Sequence, residues 1–165
     1  MGAYDLKLID IQIAEGIAVA TMTNPPVNAL NRQMQDEMAL AFDLMSDDDD
    51  VRVAVLTGQG KTFCAGADIK ARSSGTPQPG GPRGHLRSAR ECFHAIVECK
   101  KPVIAAINGV ALGAGLAIAA SCDILLASEQ ASLGMPEIDV GLMGGGRHAM
   151  RLFGHSRIRR MAVTG

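Results

Sequence analysis

Two short glycine–alanine segments, Phe63-Cys64-Ala65-Gly66-Ala67-Asp68 and Asn108-Gly109-Val110-Ala111-Leu112-Gly113-Ala114-Gly115, each follow an apolar, strand-like run and lead into a candidate helix. Strands that alternate with helices in this way predict an α/β architecture with a largely parallel sheet. Turns without bulky side chains let the main chain approach a ligand closely. In parallel sheets ligands sit beyond the carboxyl ends of the strands, which is where both turns fall. Two main-chain N–H groups aimed at one point there would cradle a developing negative oxygen.

The rest of the chain fits this scheme. Leu6 to Ile13 and Ile17 to Met22 read as a hairpin around Glu15-Gly16, and Asn24-Pro25-Pro26 ends the second strand. Asn31 is a candidate N-cap for a helix along which Met34, Met38, Ala41, Phe42 and Met45 recur at helical spacing. That stripe reads as core. Asp47 to Asp50 reads as a solvated turn at the helix exit, since a metal site would need convergent ligands. Val51 to Leu56 is a buried-type strand.

Arg72 to Gly84, rich in Gly, Pro and Ser, reads as a surface loop. Its Arg72 and Arg83, with Arg87 and Arg90 nearby, either meet anionic groups of a ligand or are ordinary solvated arginines. A helix is expected over 85–99, carrying Leu86, Ala89, Phe93, Ile96 and Val97. Strand, turn and helix follow over 103–121, a strand over Ile124 to Ala127, and helices over 144–153 and 155–164.

Composition removes several function classes. Sixteen basic against seventeen acidic residues leave a net charge of −1, which gives no electrostatic case for nucleic acid. Aromatic residues make up only 3% of the chain, so the interior must rest on aliphatics and nine methionines. Pro102 to Cys122 is uncharged and long enough to span a bilayer, with Gly109 and Gly113 at a helix-packing spacing. The β-branched run after Pro102 and the break at Asn108-Gly109 favour a buried strand, turn and helix, so no membrane is expected. The four cysteines show no metal-site spacing and read as reduced thiols of a cytoplasmic protein. A nucleophilic Cys64 is the functional alternative.

Nucleotide-binding patterns fail. Thr57-Gly58-Gln59-Gly60-Lys61-Thr62 ends like a P-loop, but the required first glycine falls on Val55 inside a strand. The third glycine of a dinucleotide fingerprint starting at Gly113 falls on Ile118.

The segments Asn24-Pro25-Pro26-Val27-Asn28-Ala29-Leu30, Phe63 to Lys70, Asn108 to Gly115, Cys122-Asp123-Ile124 and Pro136-Glu137-Ile138 resemble, in order and register, the crotonase (enoyl-CoA hydratase/isomerase) superfamily. The resemblance runs from about Leu6 to Gly165. It implies a spiral of ββα units acting on acyl-coenzyme A thioesters, with the main-chain N–H groups of Ala67 and Ala114 holding the thioester oxygen as an enolate. Ala114 opens a helix, whose dipole favours negative charge there. By the same resemblance Ala65, Gly66, Asp68, Ile69, Gly113 and Ala117 fall at substrate-binding positions. No metal or redox cofactor is implied, and coenzyme A enters as part of the substrate.

Family hydratases place two glutamates around the substrate. Here one is Glu137, and the other position is Ala117. One carboxylate suffices to move a proton from C2 to C4 of a 3-enoyl thioester, whereas hydration asks for a second group to orient water. Asp139 and His148 are candidates for that group, with a cap and a packing role as their alternatives. Residues 1–165 read as a single core domain, ending ahead of the C-terminal helices that members normally carry and that support trimer or hexamer packing. The rival reading is a non-catalytic acyl-CoA binder or assembly subunit, motivated by Ala117 and by that ending.

Overall fold

A computed structural model describes residues 4–70 and 80–165. The chain opens with β1 (Ile9–Ala14) and β2 (Ile17–Met22), an antiparallel pair in which Ala14 faces Ile17. Glu15 and Gly16 both have positive φ, 53° and 82°, as a two-residue turn matching strand twist requires. Ile9 and Ile11 from β1, with Ala18, Ala20 and Met22 from β2, point inward and are buried.

Helix α1 (Arg32–Asp47) begins where expected: the Asn31 side chain accepts from the Met34 N–H at 2.8 Å. Such a cap contributes about 1 kcal/mol. Met34, Met38, Ala41, Phe42 and Met45 are all fully buried against the hairpin and the strands beyond it. Each large member of that stripe stabilises by roughly 1.5–3 kcal/mol through burial. At the helix exit Tyr4 Oη donates to Asp48 at 2.6 Å and Lys100 pairs with Asp47, so the first two members of the acidic run serve local surface contacts.

From here the chain repeats one move. A long strand joins the first sheet, a three-residue strand joins a second sheet, and a helical segment returns. The long strands are β3 (Val53–Gly58), β5 (Val103–Ile107) and β7 (Ile124–Ala127); the short ones are β4 (Thr62–Cys64), β6 (Val110–Leu112) and β8 (Ser132–Gly134). The sheet orders are therefore β1-β2-β3-β5-β7 and β4-β6-β8, all parallel except β1 with β2. Helix α2 (Gly81–Val97) follows β4, α3 (Ala114–Ala119) follows β6, and β8 runs into a 3-10 turn at Pro136–Val140. Helices α4 (Gly146–Ala149) and α5 (His155–Thr164) complete the described chain. This is the spiral of ββα units that the resemblance implied.

Asparagines hold the corners between the two sheets. Asn108 Nδ2 donates to the Gly58 and Gly60 carbonyls at 2.8 and 2.9 Å. Asn28 Nδ2 donates to those of Gln59 and Thr62 at 3.0 and 2.7 Å.

Several boundaries differ from the sequence reading. The stretches read as turns at 63–64 and 110–112 contain β4 and β6, and β8 was not expected; three residues are too few to show an alternation. Strand β1 starts at Ile9 rather than Leu6, and β3 at Val53, because the Val51 N–H turns back to the Asp48 carbonyl. Helix α2 begins at Gly81, earlier than 85, and takes Arg83 out of the expected loop, of which residues 72–79 lie outside the described residues. The helix expected over 144–153 shortens to α4. Residues 102–122 form β5, β6 and α3, and among the described residues no helix is long and apolar enough to cross a membrane.

Candidate active site

All three strands of the small sheet run in the same direction, so their carboxyl ends deliver three segments to one place. Strand β4 delivers Ala65-Gly66-Ala67, β6 delivers Gly113-Ala114, and β8 delivers Pro136-Glu137. The Gly113 N–H donates to the Gly134 carbonyl at 2.9 Å, fixing the second against the third. Together these segments line a cavity of about 670 Å³, completed by α1, α2, the 3-10 turn and the Gly144–His148 stretch.

Ala67 is held by a parallel bridge to Leu30: the Leu30 N–H meets the Gly66 carbonyl at 2.7 Å, and the Asp68 N–H meets the Leu30 carbonyl at 3.1 Å. In an extended segment successive amides point to opposite sides, so this bridge turns the Ala67 N–H away from Leu30. Ala114 is the first residue of α3, where an N–H has no intrahelical acceptor. Among the described residues neither N–H donates to a main-chain carbonyl. The loops are in close contact: a Cβ on Gly66 (φ +99°) would sit 2.9 Å from the Leu112 carbonyl oxygen and 3.6 Å from the Ala114 nitrogen.

Glu137 comes from the 3-10 turn. Its carboxyl lies against Gly113, where an added Cβ would be 3.0 Å from Oε1, and a Cβ on Gly145 would be 3.3 Å away. Gly113 itself has φ +51° and ψ −112°, a backbone that side chains disfavour. The two glycines therefore make the slot that admits the carboxyl. Glu137 Oε2 is buried without a hydrogen-bond partner. Burial pushes this carboxyl above its ordinary range, with its own main-chain N–H pulling weakly the other way. A carboxylate in that state is a stronger base than a solvated one.

His148, on α4, also lines the cavity, its ring packed on Phe93 with centroids 4.6 Å apart. Its Nδ1 is buried without a partner. Burial, and then the charges of Arg151, His94 and Arg147, push its pKa below the usual imidazole value, which favours the neutral ring. Asp139 lies on the wall as well. Both alternatives to a second glutamate thus share the cavity with Glu137.

Of the residues singled out in the sequence, Ala65, Gly66, Ala67, Ile69, Gly113, Ala114 and Glu137 line the cavity. Ala117 does not: it is fully buried inside α3, and the Ser121 hydroxyl donates to its carbonyl at 2.9 Å. Asp68 is not among the lining residues either. Arg90 reaches the wall while pairing with Glu91; Arg83 and Arg87 do not line the cavity, and Arg72 lies outside the described residues. Leu86, one of the apolar residues of the expected helix, is 68% exposed and lines the cavity. The nucleophilic alternative for Cys64 fails, since burial pushes its thiol up to about 11. The sequence reading missed Gln35, a buried side chain of α1 that lines the cavity; its place between Met34 and Met38 hid it within a core stripe.

Comparison with known proteins agrees with this architecture. The model of the family described as enoyl-CoA hydratase/isomerase matches residues 12–165. The short-chain-enoyl-CoA hydratase of Clostridium acetobutylicum is 38% identical over 153 residues, covering 90% of this chain and 58% of that protein. A (7aS)-7a-methyl-1,5-dioxo-2,3,5,6,7,7a-hexahydro-1H-indene-carboxyl-CoA hydrolase of Mycobacterium tuberculosis is 34% identical, covering 90% and 60%. The chain thus spans somewhat less than two thirds of these relatives' length. The solved structure of Pseudomonas aeruginosa DspI superposes with a TM-score of 0.88 at 33% identity, covering 98% of this chain and 67% of that one. With the ββα spiral, the converging strand ends and a match along nearly all of its length, the chain belongs to the enoyl-CoA hydratase/isomerase family.

Proposed function

We propose that the cavity binds an acyl-CoA thioester and stabilises its enolate. The thioester oxygen sits between the N–H groups of Ala67 and Ala114, and Glu137 carries protons at the acyl carbons. The observation that carries this reading is that two residues whose N–H groups find no main-chain acceptor line one cavity with a half-buried carboxyl whose Oε2 has no partner. Pre-set donors need no reorganisation when charge develops on oxygen, and losing one typically costs about 2.7–4 kcal/mol of transition-state stabilisation.

With a 3-enoyl thioester the steps balance on one residue. Glu137 takes the C2 proton, the electron pair passes through C1 to the thioester oxygen, and the Glu137 carboxyl, its proton exchangeable with solvent, protonates the dienolate at C4. The double bond moves from C3–C4 to C2–C3. Burial of Glu137, which strengthens it as a base, favours this role.

A second reading is hydration of a 2-enoyl thioester, favoured by His148. Its neutral ring leaves Nδ1 unpartnered in the same cavity, where it would hold the attacking water for Glu137. The experiment is to supply a 3-enoyl-CoA and a 2-enoyl-CoA in deuterium oxide and follow both the ultraviolet band and label at C2 and C4. Label with double-bond migration supports isomerisation, and loss of the conjugated band supports hydration. Binding without any exchange would leave the acyl-CoA binder in place of both.

A further inference from the structure

One side chain of the cavity is used by neither reading. Gln35 is 2% exposed, lies on α1 and lines the cavity, yet its Oε1 has no hydrogen-bond partner. Its position follows from its neighbours: the Ser88 hydroxyl of α2 donates to Asp36 of α1 at 2.6 Å, so Gln35 lies where α1 crosses α2. Leu30, Ala89 and Phe93 supply apolar surface to the same cavity, and none of its lining side chains hydrogen-bonds Gln35 Oε1.

A carboxamide buried in such surroundings is unfavourable unless something pairs with it, because desolvation is not returned by any protein contact. A purely hydrocarbon chain laid against it would leave the amide unpaired. A ligand hydroxyl would not, since it donates to the orphaned Oε1.

Building on the acyl-CoA reading of this cavity, we infer that Gln35 selects acyl groups that carry a hydroxyl on the chain beyond the thioester. Gln35 is on this view a specificity-determining residue. It touches the distal part of the substrate and takes no part in proton transfer. Sites built to hydrogen-bond a substrate group discriminate strongly against the analogue that lacks it.

The test is binding by calorimetry to the 165-residue chain, using octanoyl-CoA and two sets of esters of the same length. One set carries a hydroxyl and the other a carbonyl, at C4, C5, C6 or C7. At least one hydroxylated thioester should bind about tenfold more tightly than octanoyl-CoA and than its carbonyl counterpart, and a carbonyl set that binds as well or better overturns the inference. Gln35→Met should reverse the order, tightening octanoyl-CoA and weakening the preferred ester. If all esters bind alike to the unaltered chain, a water satisfies Gln35 and the inference is overturned. It is equally overturned if Gln35→Met weakens octanoyl-CoA and the hydroxylated thioester to the same degree. If octanoyl-CoA and every other thioester fail to bind, the acyl-CoA reading itself falls, and this inference with it.

Discussion

At the sheet corners and between or within the packed helices, buried polar groups are engaged, whereas the polar groups that line the cavity are left open. Asn28 is 2% exposed, donates to two main-chain carbonyls and accepts from the Asn24 N–H at 3.1 Å. The Ser88 and Ser121 hydroxyls, also buried, have acceptors at 2.6 and 2.9 Å. Gln35 Oε1, Glu137 Oε2 and His148 Nδ1 have none, and all three belong to the cavity. The fourth such atom among the described residues, Arg32 Nη1, belongs to a guanidinium already paired with Asp36 through Nε. The difference separates two uses of burial. Where polar groups hold the fold they are satisfied by the fold, and where they are left unsatisfied the missing partner belongs to a ligand or to solvent.

The sharpest way to break this contrast is to change an open group and a closed one and compare what is lost. Glu137→Gln keeps the shape of the slot beside Gly113 and removes the base. Label exchange at C2 should fall by about 10²–10⁴-fold, with thioester affinity retained. Exchange that survives at the original rate would transfer the base to another residue and empty the proposal for Glu137. Met38→Ala acts on the other region. A fully buried side chain is truncated, so unfolding stability should drop by about 2–5 kcal/mol in a denaturant titration. Exchange per folded molecule should be untouched, and a comparable drop in it would mean that core and cavity are not separable.

Gly113→Ala sits on the border between the two regions. The added methyl would meet Glu137 Oε1 at about 3.0 Å on a backbone of φ +51°. The carboxyl must give way by a few tenths of an ångström, and in a reaction that depends on alignment exchange should fall by up to about a hundredfold. The measurement is again C2 exchange, now with a crystal structure of the variant. An unmoved carboxyl with full activity would show that the slot does not position the base.

The two regions also differed in how much the sequence revealed. The hairpin, the Asn31 cap and the methionine stripe are local: a turn pair, one side chain to one N–H, and a repeat along a single helix. Each is set by residues a few positions apart, so its pattern is visible without the fold. The glycine–alanine segments and Glu137 were legible as motifs, and they meet because the short strands that carry them are parallel. Those strands were themselves invisible, being three residues long. Gln35 was unreadable for the opposite reason. Helical spacing says that a residue lies near an apolar face, but only the crossing of α1 and α2 turns that face into a cavity wall. Ala117 shows the same limit from the other side, since a motif position four residues past Gly113 proves to lie in the core rather than on the wall.

The smallest expected effect bears most directly on why an open group should cost anything. The Glu137 pKa is raised in the folded chain, because burial penalises its charged form. Below the pKa of the unfolded side chain, about 4.3, both states hold the proton and the group has no effect on stability relative to a neutral residue. As pH rises past that value the unfolded chain ionises first, so the folded state loses ground until its own pKa is passed, and the deficit then stays constant. Glu137→Gln removes this titration. The variant should therefore match the parent near pH 4 and below, and melt above it at neutral pH, while being the less active of the two. Melting curves of both proteins from pH 4 to 8 measure the gap. A gap that fails to open with pH would mean that the Glu137 carboxylate is already satisfied in the folded chain, and the contrast between closed corners and open cavity would lose its strongest member.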